Sequence, residues 1–370
     1  MPKMACQSFF EKKCVFSIYA IAFCLRIWYT DEKAALRRGY RKGGEGMYTI
    51  KDLAKACGVS IATVSRAFSP DARIAAGTRE RILRQAEKMG YRPDPMARGL
   101  KGSRTQMIGV LVPSYANEVY LRQIQAIEKV LRAAEYRLLV AFQNEDAVSE
   151  RESLQNMYLA PIDALIYTPQ DMANRDLIEK LRQKIPLLQL YRSHDPSISG
   201  VLVDDVAGTE RAVTELLQKG NRNIGFIGGG HRLEGYRSAL QKYGIEPDAS
   251  LVSWDWNVTE AEVSHFLLNA IHNHGMTAVL AVAGPAQLAW KCILTLAIPV
   301  PERLSFIMYD EVTWAEMFSI TTVTHPTEEI ARLCRDHLFA MLADPSAAMV
   351  DTVVPYLTTR SSVRELSTDV

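Results

Sequence analysis

Arg66, with Ile61 and Ala62 shortly before it, forms the set of side chains whose types and spacing point most directly to a chemistry. A guanidinium can give two parallel hydrogen bonds to a guanine edge, and small apolar groups beside it fit a thymine methyl. Hydroxyls at Thr49, Ser60, Thr63 and Ser65 surround the set, and such groups bind phosphate oxygens, which position a protein without reading sequence. A second set is Tyr115, Asn117, Arg192, Arg232 and Asp310, each standing just after an apolar run. Their phenol, amide, guanidinium and carboxylate groups suit a small polar ligand. Catalytic signatures do not appear: there is no G-x-S-x-G elbow and no phosphate-binding P-loop. The six cysteines include no C-x-x-C pair, and His265, His272 and His274 do not make a convincing metal set. No cofactor is expected, and the cysteines fit free thiols in a reducing compartment.

The first set must be carried by two short helices and a tight turn. Thr49 with Asp52 three positions on is a capping pair that opens a helix. Gly58 can take the left-handed conformation that a sharp corner requires, and Ser60 can cap the helix that follows. Ile50, Leu53, Ala54 and Val64 then form a small shared core, leaving Ile61, Ala62 and Arg66 outward on a helix of a size that fits the major groove. A third amphipathic helix over 78–89, with Ile82, Leu83, Ala86 and Met89 on one face, closes a three-helix bundle that ends at Gly90 and Pro93. Two packed helices with no relation to DNA are the plainer alternative.

The run 49–66 resembles the helix-turn-helix of the LacI/GalR family of bacterial transcriptional regulators. Asp52, Ala54, Gly58, Val59, Ser60, Thr63, Val64, Ser65 and Arg66 all stand where that motif has them. The resemblance extends over residues 47 to about 360. It identifies 94–105 with the family's hinge helix, whose leucine enters the minor groove; Leu100 has that place here, with Ala97 beside it. Gly99 weakens such a helix by about 1 kcal/mol relative to Ala, so the hinge is expected to be disordered without DNA. An ordinary linker is the alternative.

Charge is distributed unevenly. Residues 47–102 carry 11 Lys/Arg against 5 Asp/Glu, a net of +6, whereas 103–370 carry 23 against 33, a net of −10. A small basic module on a larger acidic body suits a polyanion at one end only. Residues 1–46 stand apart, with an apolar stretch over 15–29 interrupted by Arg26 and too short to span a bilayer. They are expected not to belong to the native protein, with Met47 as its start; a genuine disordered or membrane-touching extension is the alternative.

From Met107 the pattern changes to alternating strands and helices. Buried strands are predicted at 107–112, 137–142, 163–167, 187–190, 201–203, 223–227, 277–282, 304–309 and 320–324, with helices between them such as 118–134, 149–159, 205–219 and 261–273. Repeated βα units imply an α/β fold with a doubly wound parallel sheet, and the length suits two lobes like those of periplasmic binding proteins. The expected division is a headpiece over 47–93, a hinge over 94–105 and an effector-binding and dimerisation core over 106–370. The core's first lobe is placed at about 106–204 plus 325–344, and its second at about 205–324 plus 345–370. The last residues, 360–370, show no leucine heptads for a tetramerising coiled coil.

Ligands of such sheets bind beyond the carboxyl ends of the strands. The resemblance implies that the loop holding Tyr115 and Asn117 reaches the effector. It also places Arg232 on the family's effector-contacting arginine, Asp310 on an acidic ligand position, and Asp204-Asp205 on a pair at the lobe crossover. Each has a plainer reading: Asp204 and Asp205 could cap a helix, and Gly228–Gly230 could serve only a sharp turn. Ala283-Gly284-Pro285 replaces a polar pair usual in the family, which removes a carboxylate and favours a smaller, more apolar or anionic effector over a plain hexose. The expected function is a ligand-responsive, DNA-binding repressor of a catabolic or transport operon. It would act as a cytoplasmic homodimer on a near-palindromic operator, with no membrane partner and no enzymic activity. An α/β enzyme with a basic appendage, or a sensor that no longer binds DNA, are the competing classes.

Overall fold

The computed structural model describes residues 48–68, 72–91, 104–144, 146–170, 173–253 and 258–366, and the chain divides into two units at residues 97 and 98. Expectations about Met47, residues 1–46, and Ala97, Gly99 and Leu100 of the hinge lie outside the described residues.

The N-terminal unit is built on α1 (Ile50–Cys57), α2 (Ile61–Ala67) and α3 (Ala76–Met89). Thr49 and Asp52 form the reciprocal capping box of α1: the Thr49 hydroxyl accepts from the Asp52 amide, and the Asp52 carboxylate accepts from the Thr49 amide at 2.8 Å. Gly58 ends α1 at φ 62°, and the Val59 amide donates back to the Ala54 carbonyl at 3.1 Å. Ser60 then caps α2, accepting from the Thr63 amide at 3.1 Å. Leu53, Ala54, Val64, Ala67, Ile82, Ala86 and Tyr91 form the core. Ile50 is half-buried and packs against this core. One expectation is corrected: Ile82 and Ala86 face the core as predicted, but Leu83, about 100° round the helix from Ile82, is exposed.

The second unit holds two six-stranded sheets. The first lobe is formed by β1 (Met107–Val112), α4 (Glu118–Arg132), β2 (Arg137–Phe142), α5 (Ala147–Leu159), β3 (Ala164–Tyr167), α6 (Arg175–Arg182), β4 (Leu187–Tyr191) and β5 (Gly200–Val203). The chain crosses to the second lobe through Asp204. There it forms α7 (Asp205–Gln218), β6 (Ile224–Ile227), α8 (Arg232–Lys242), β7 (Val252–Ser253), α9 (Glu260–Asn273), β8 (Ala278–Val282), α10 (Ala283–Thr295), β9 (Ser305–Tyr309), α11 (Thr313–Met317) and β10 (Thr321–Thr324). It returns through His325 to α12 (Thr327–Ala343) and β11 (Val350–Val353), and crosses a third time to β12 (Tyr356–Thr358).

Strand orders are β11-β5-β4-β3-β1-β2 and β12-β10-β9-β8-β6-β7, so the two lobes repeat one topology. Every pairing is parallel except β10 with β12. Helices cover both faces of each sheet, which explains why central strands such as β3, β8 and β9 are buried along their whole length. The predicted lobe boundary at 344 moves. Val350–Val353 pairs with β5 in register from Gly200 to Val203, so the first lobe runs on to about residue 353. Arg137–Phe142, predicted as a buried strand, is an edge strand with alternating exposure because nothing pairs beyond it.

Candidate functional site

On the N-terminal unit, Ile61, Ala62 and Arg66 are exposed and Val64 and Ala67 are buried, so α2 shows its reading face outward while its other face anchors it. Thr49 and Ser60 are exposed but already used as caps, and the Thr63 and Ser65 side chains are half-buried. Thr63 and Ser60 hydroxyls lie 2.9 Å apart. Among these groups, only Arg66 brings a full positive charge to the face.

In the second unit the carboxyl ends of the strands bring a different group together. Arg232, the first residue of α8, pairs with Asp205 at 3.1 Å, and its guanidinium lies over the Tyr309 ring at 4.3 Å. The Tyr309 hydroxyl donates to the second Asp205 oxygen at 2.8 Å. Burial pulls the Arg232 guanidinium toward losing its proton, but Asp205, Tyr309 and Asp310 outweigh it and keep it charged. Asp310 follows β9 at φ 100°, almost wholly buried, 3.9 Å from His325 Nε2. Burial raises the Asp310 carboxyl to about 7, with Arg232 opposing and Asp205 assisting. Burial also lowers His325 to about 4. Near neutral pH His325 is therefore neutral, and Asp310 is divided between its protonated and ionised forms.

Rings carry this cluster into the first lobe. Tyr309 and His325 centroids are 6.0 Å apart, His325 and Tyr191 5.2 Å, and Tyr191 and Tyr120 5.8 Å. Tyr191 ends β4 at φ 69°, and β4 holds the same place in the first sheet as β9 in the second. A non-glycine residue at positive φ costs of order 1–3 kcal/mol, and such residues gather at ligand sites. Four buried polar atoms here have no hydrogen-bond partner among the described residues: Arg232 Nε, Asp310 Oδ1 and both His325 ring nitrogens. Unmet groups of this kind are what a bound polar molecule would satisfy.

Of the sequence-predicted effector residues, Arg232 and Asp310 come together. Arg192 does not join them; it is exposed, and its guanidinium donates to Gln170 Oε1 at 2.9 Å and to the Pro169 carbonyl. Asn117 caps α4, accepting from the Val119 amide at 3.0 Å, and Tyr115 is exposed with its ring edge-on to Phe142. Asp204 and Asp205 divide the two roles read for them: Asp204 caps α7 through the Ala207 amide, and Asp205 holds Arg232. The Gly228–Gly230 turn makes a sharp corner, with φ 143° and 67° at its ends. Sequence reasoning missed Tyr309 and His325, and of the pair Tyr191-Arg192 after the strand it chose Arg192, whereas Tyr191 is the one beside His325. The only signal of Tyr309 and His325 was position beside a strand end, which apolar neighbours masked.

Known proteins give the frame for this geometry. The family described as bacterial regulatory proteins, lacI family, matches residues 49–94. The periplasmic binding proteins and sugar binding domain of LacI family matches 105–281, and a periplasmic binding protein-like domain matches 213–363. The transcriptional regulator DegA of Bacillus subtilis is 30% identical over 301 residues, covering 76% of this chain and 88% of DegA. The regulator RegA of Clostridium saccharobutylicum is 29% identical over 309 residues, covering 80% and 92%. In fold, a lac repressor dimer bound to operator and an anti-inducer superposes with a TM-score of 0.73 at 21% identity, covering 86% of this chain and 100% of that one. A complex of the regulator CelR with cellobiose gives 0.61 at 21% identity, covering 85% and 99%. With its capped helix pair ahead of two lobes of one repeated topology, the chain belongs to the LacI family of bacterial transcriptional regulators.

Proposed function

We propose that this chain represses a catabolic or transport operon by binding a near-palindromic operator as a cytoplasmic homodimer, under the control of a small-molecule effector. The observation that carries the DNA-reading part is the outward face of α2. Arg66 stands there with Ile61 and Ala62, on a helix fixed by the Ser60 cap and the buried Val64 and Ala67. Arg66 reads a guanine edge, and Thr49, Thr63 and Ser65 lie toward the phosphates. Ala97 and Leu100 would add minor-groove contact. Footprinting at a fixed, stated salt concentration should protect a palindrome near the regulated genes. Arg66→Ala should weaken that site by about 1–3 kcal/mol and relax its preference at one base pair per half-site. Unchanged affinity and preference would show that α2 does not read in this way.

The effector is proposed to sit against Arg232, Asp310 and His325. Arg232 is already balanced by Asp205, and Asp310 keeps part of its negative charge at neutral pH, which would repel an anion. The pocket therefore suits an uncharged molecule with hydroxyl or amide groups better than the anionic one favoured on sequence grounds. Dimerisation is supported by an apolar face in the second lobe. Leu294, Met317 and Phe318 are exposed there beside a groove of about 560 Å³ lined by Leu288, Trp290 and Trp314. A second copy would cover this face and take its apolar side chains out of water. The absence of enzymic activity is part of the proposal, and turnover of a bound metabolite by the purified protein would contradict it.

A further inference from the structure

The short helix α11 begins at Thr313 without a side-chain cap of its own, because the preceding residue is Val312. Its missing acceptor comes from the other lobe. The Glu118 carboxylate, on the first turn of α4, accepts from the Thr313 amide at 3.0 and 3.1 Å and from the Thr313 hydroxyl at 2.6 Å. Arg122 closes the triangle, donating to Glu118 at 2.8 Å and to the Thr313 hydroxyl at 3.0 Å. Partial burial raises the Glu118 carboxyl, but the bonds from Thr313 and Arg122 outweigh it and hold it below its ordinary range. The neighbouring Val119 packs against the second lobe's core, as does Trp314. One turn of α4 therefore spans the lobes by a charge-assisted contact and an apolar one together.

We propose that Glu118 is a latch between the lobes that also positions α11, so that opening of the lobes and loosening of the apolar face carrying Trp314, Met317 and Phe318 are one event. The consequence for assembly rests on the dimer reading above; the latch itself does not. Breaking the lobes apart removes every side-chain acceptor that the Thr313 amide has among the described residues. A five-residue helix has too few internal bonds to hold its first turn without help. An effector that favours one lobe spacing would then bias the apolar face without touching it.

The test uses the full-length chain. Glu118→Ala leaves α4 with its Asn117 cap, so the first lobe should retain its cooperative melt. Amide exchange over 313–318 should become about tenfold faster, with α9 and α12 unchanged. Glu118→Gln keeps an acceptor oxygen and should exchange much more slowly than Glu118→Ala. Adding Val312→Thr to Glu118→Ala places a hydroxyl at the residue before α11, whose extended backbone (φ −134°, ψ 159°) suits a cap. Exchange should slow again while small-angle scattering still shows the lobes more open than in the wild type. Equal exchange at 313–318 in wild type and Glu118→Ala would overturn the latch. So would a folded double variant whose exchange stays fast. If the wild type sediments only as a monomer, the dimer reading fails, and the exchange comparison still decides the latch.

Discussion

Asp310 and His325 lie 3.9 Å apart with their side chains buried, and burial moves their pKa values in opposite directions. For Asp310, raised from its ordinary 3.8 to about 7, the folded state holds a proton that the unfolded state has lost, so stability falls as pH rises through that window. For His325, lowered from 6.5 to about 4, the unfolded state takes a proton first, so stability rises with pH over its window. The two oppose each other between about 4 and 6.5. Relative to wild type, Asp310→Asn should therefore gain thermal stability as pH rises from 4 to 7, and His325→Gln should lose it as pH rises from 4 to 6.5. Melting temperatures measured across that range check this, and two variant profiles parallel to wild type would refute it. Arg232 and Asp310 were legible in the sequence because each follows an apolar strand. Tyr309 read only as an apolar strand residue, Tyr191 only as the neighbour of Arg192 after its strand, and His325 as the residue following one more strand. Their convergence depends on the chain returning to the first lobe, which no local pattern encodes.

At the scale of elements, two glycines show how differently the same residue can be required. Gly58 has φ 62° with open space where a Cβ would stand, so Gly58→Ala costs only the left-handed backbone, about 1–2 kcal/mol. Gly235 has an ordinary helical backbone, but a Cβ there would stand 2.2 Å from the Val206 carbonyl oxygen. Gly235→Ala must push α8 off α7, and a cost of about 3 kcal/mol or more is expected. Denaturant melts that resolve the two units would measure both, and a cheaper Gly235→Ala would show that α7 and α8 have slack. The elements given bounds from sequence agree to within two residues, since the switch from period 3.6 to continuous apolar runs marks such boundaries, whereas α8, α10 and the long α12 had none. The strands that escaped are β7, β11 and β12. β7 has two residues, Val350–Val353 is mostly exposed, and β12 has three residues at a sheet edge. Such strands exist because a neighbour offers a free edge, and nothing in their own sequence announces it.

For the whole molecule, the apolar face of α10 and α11 leads to a direct expectation. Leu294 is 53% exposed, so Leu294→Asp should leave the melt of the monomer nearly unchanged while shifting sedimentation toward monomer at micromolar concentration. A variant that still sediments as wild type would place the interface elsewhere. The two-lobed plan was readable from the count and spacing of βα units, but the share of each lobe was not. Residues 350–353 return to the first sheet only because β5 leaves its outer edge unpaired until they arrive. That return gives the chain three crossings, near residues 204, 325 and 355. Asp205 and His325 stand at two of them, and the third passes Pro355, whose carbonyl takes a bond from Arg211 of α7. A body that swings on three strands turns about the line through them, as a door turns on its pins. A molecule held by Arg232, Asp310 and His325 would sit beside two of those pins, at Asp205 and His325, where leverage is small. It would govern the swing as a shim governs a hinge, by changing the angle at which the pins rest, and Glu118 would act as the catch.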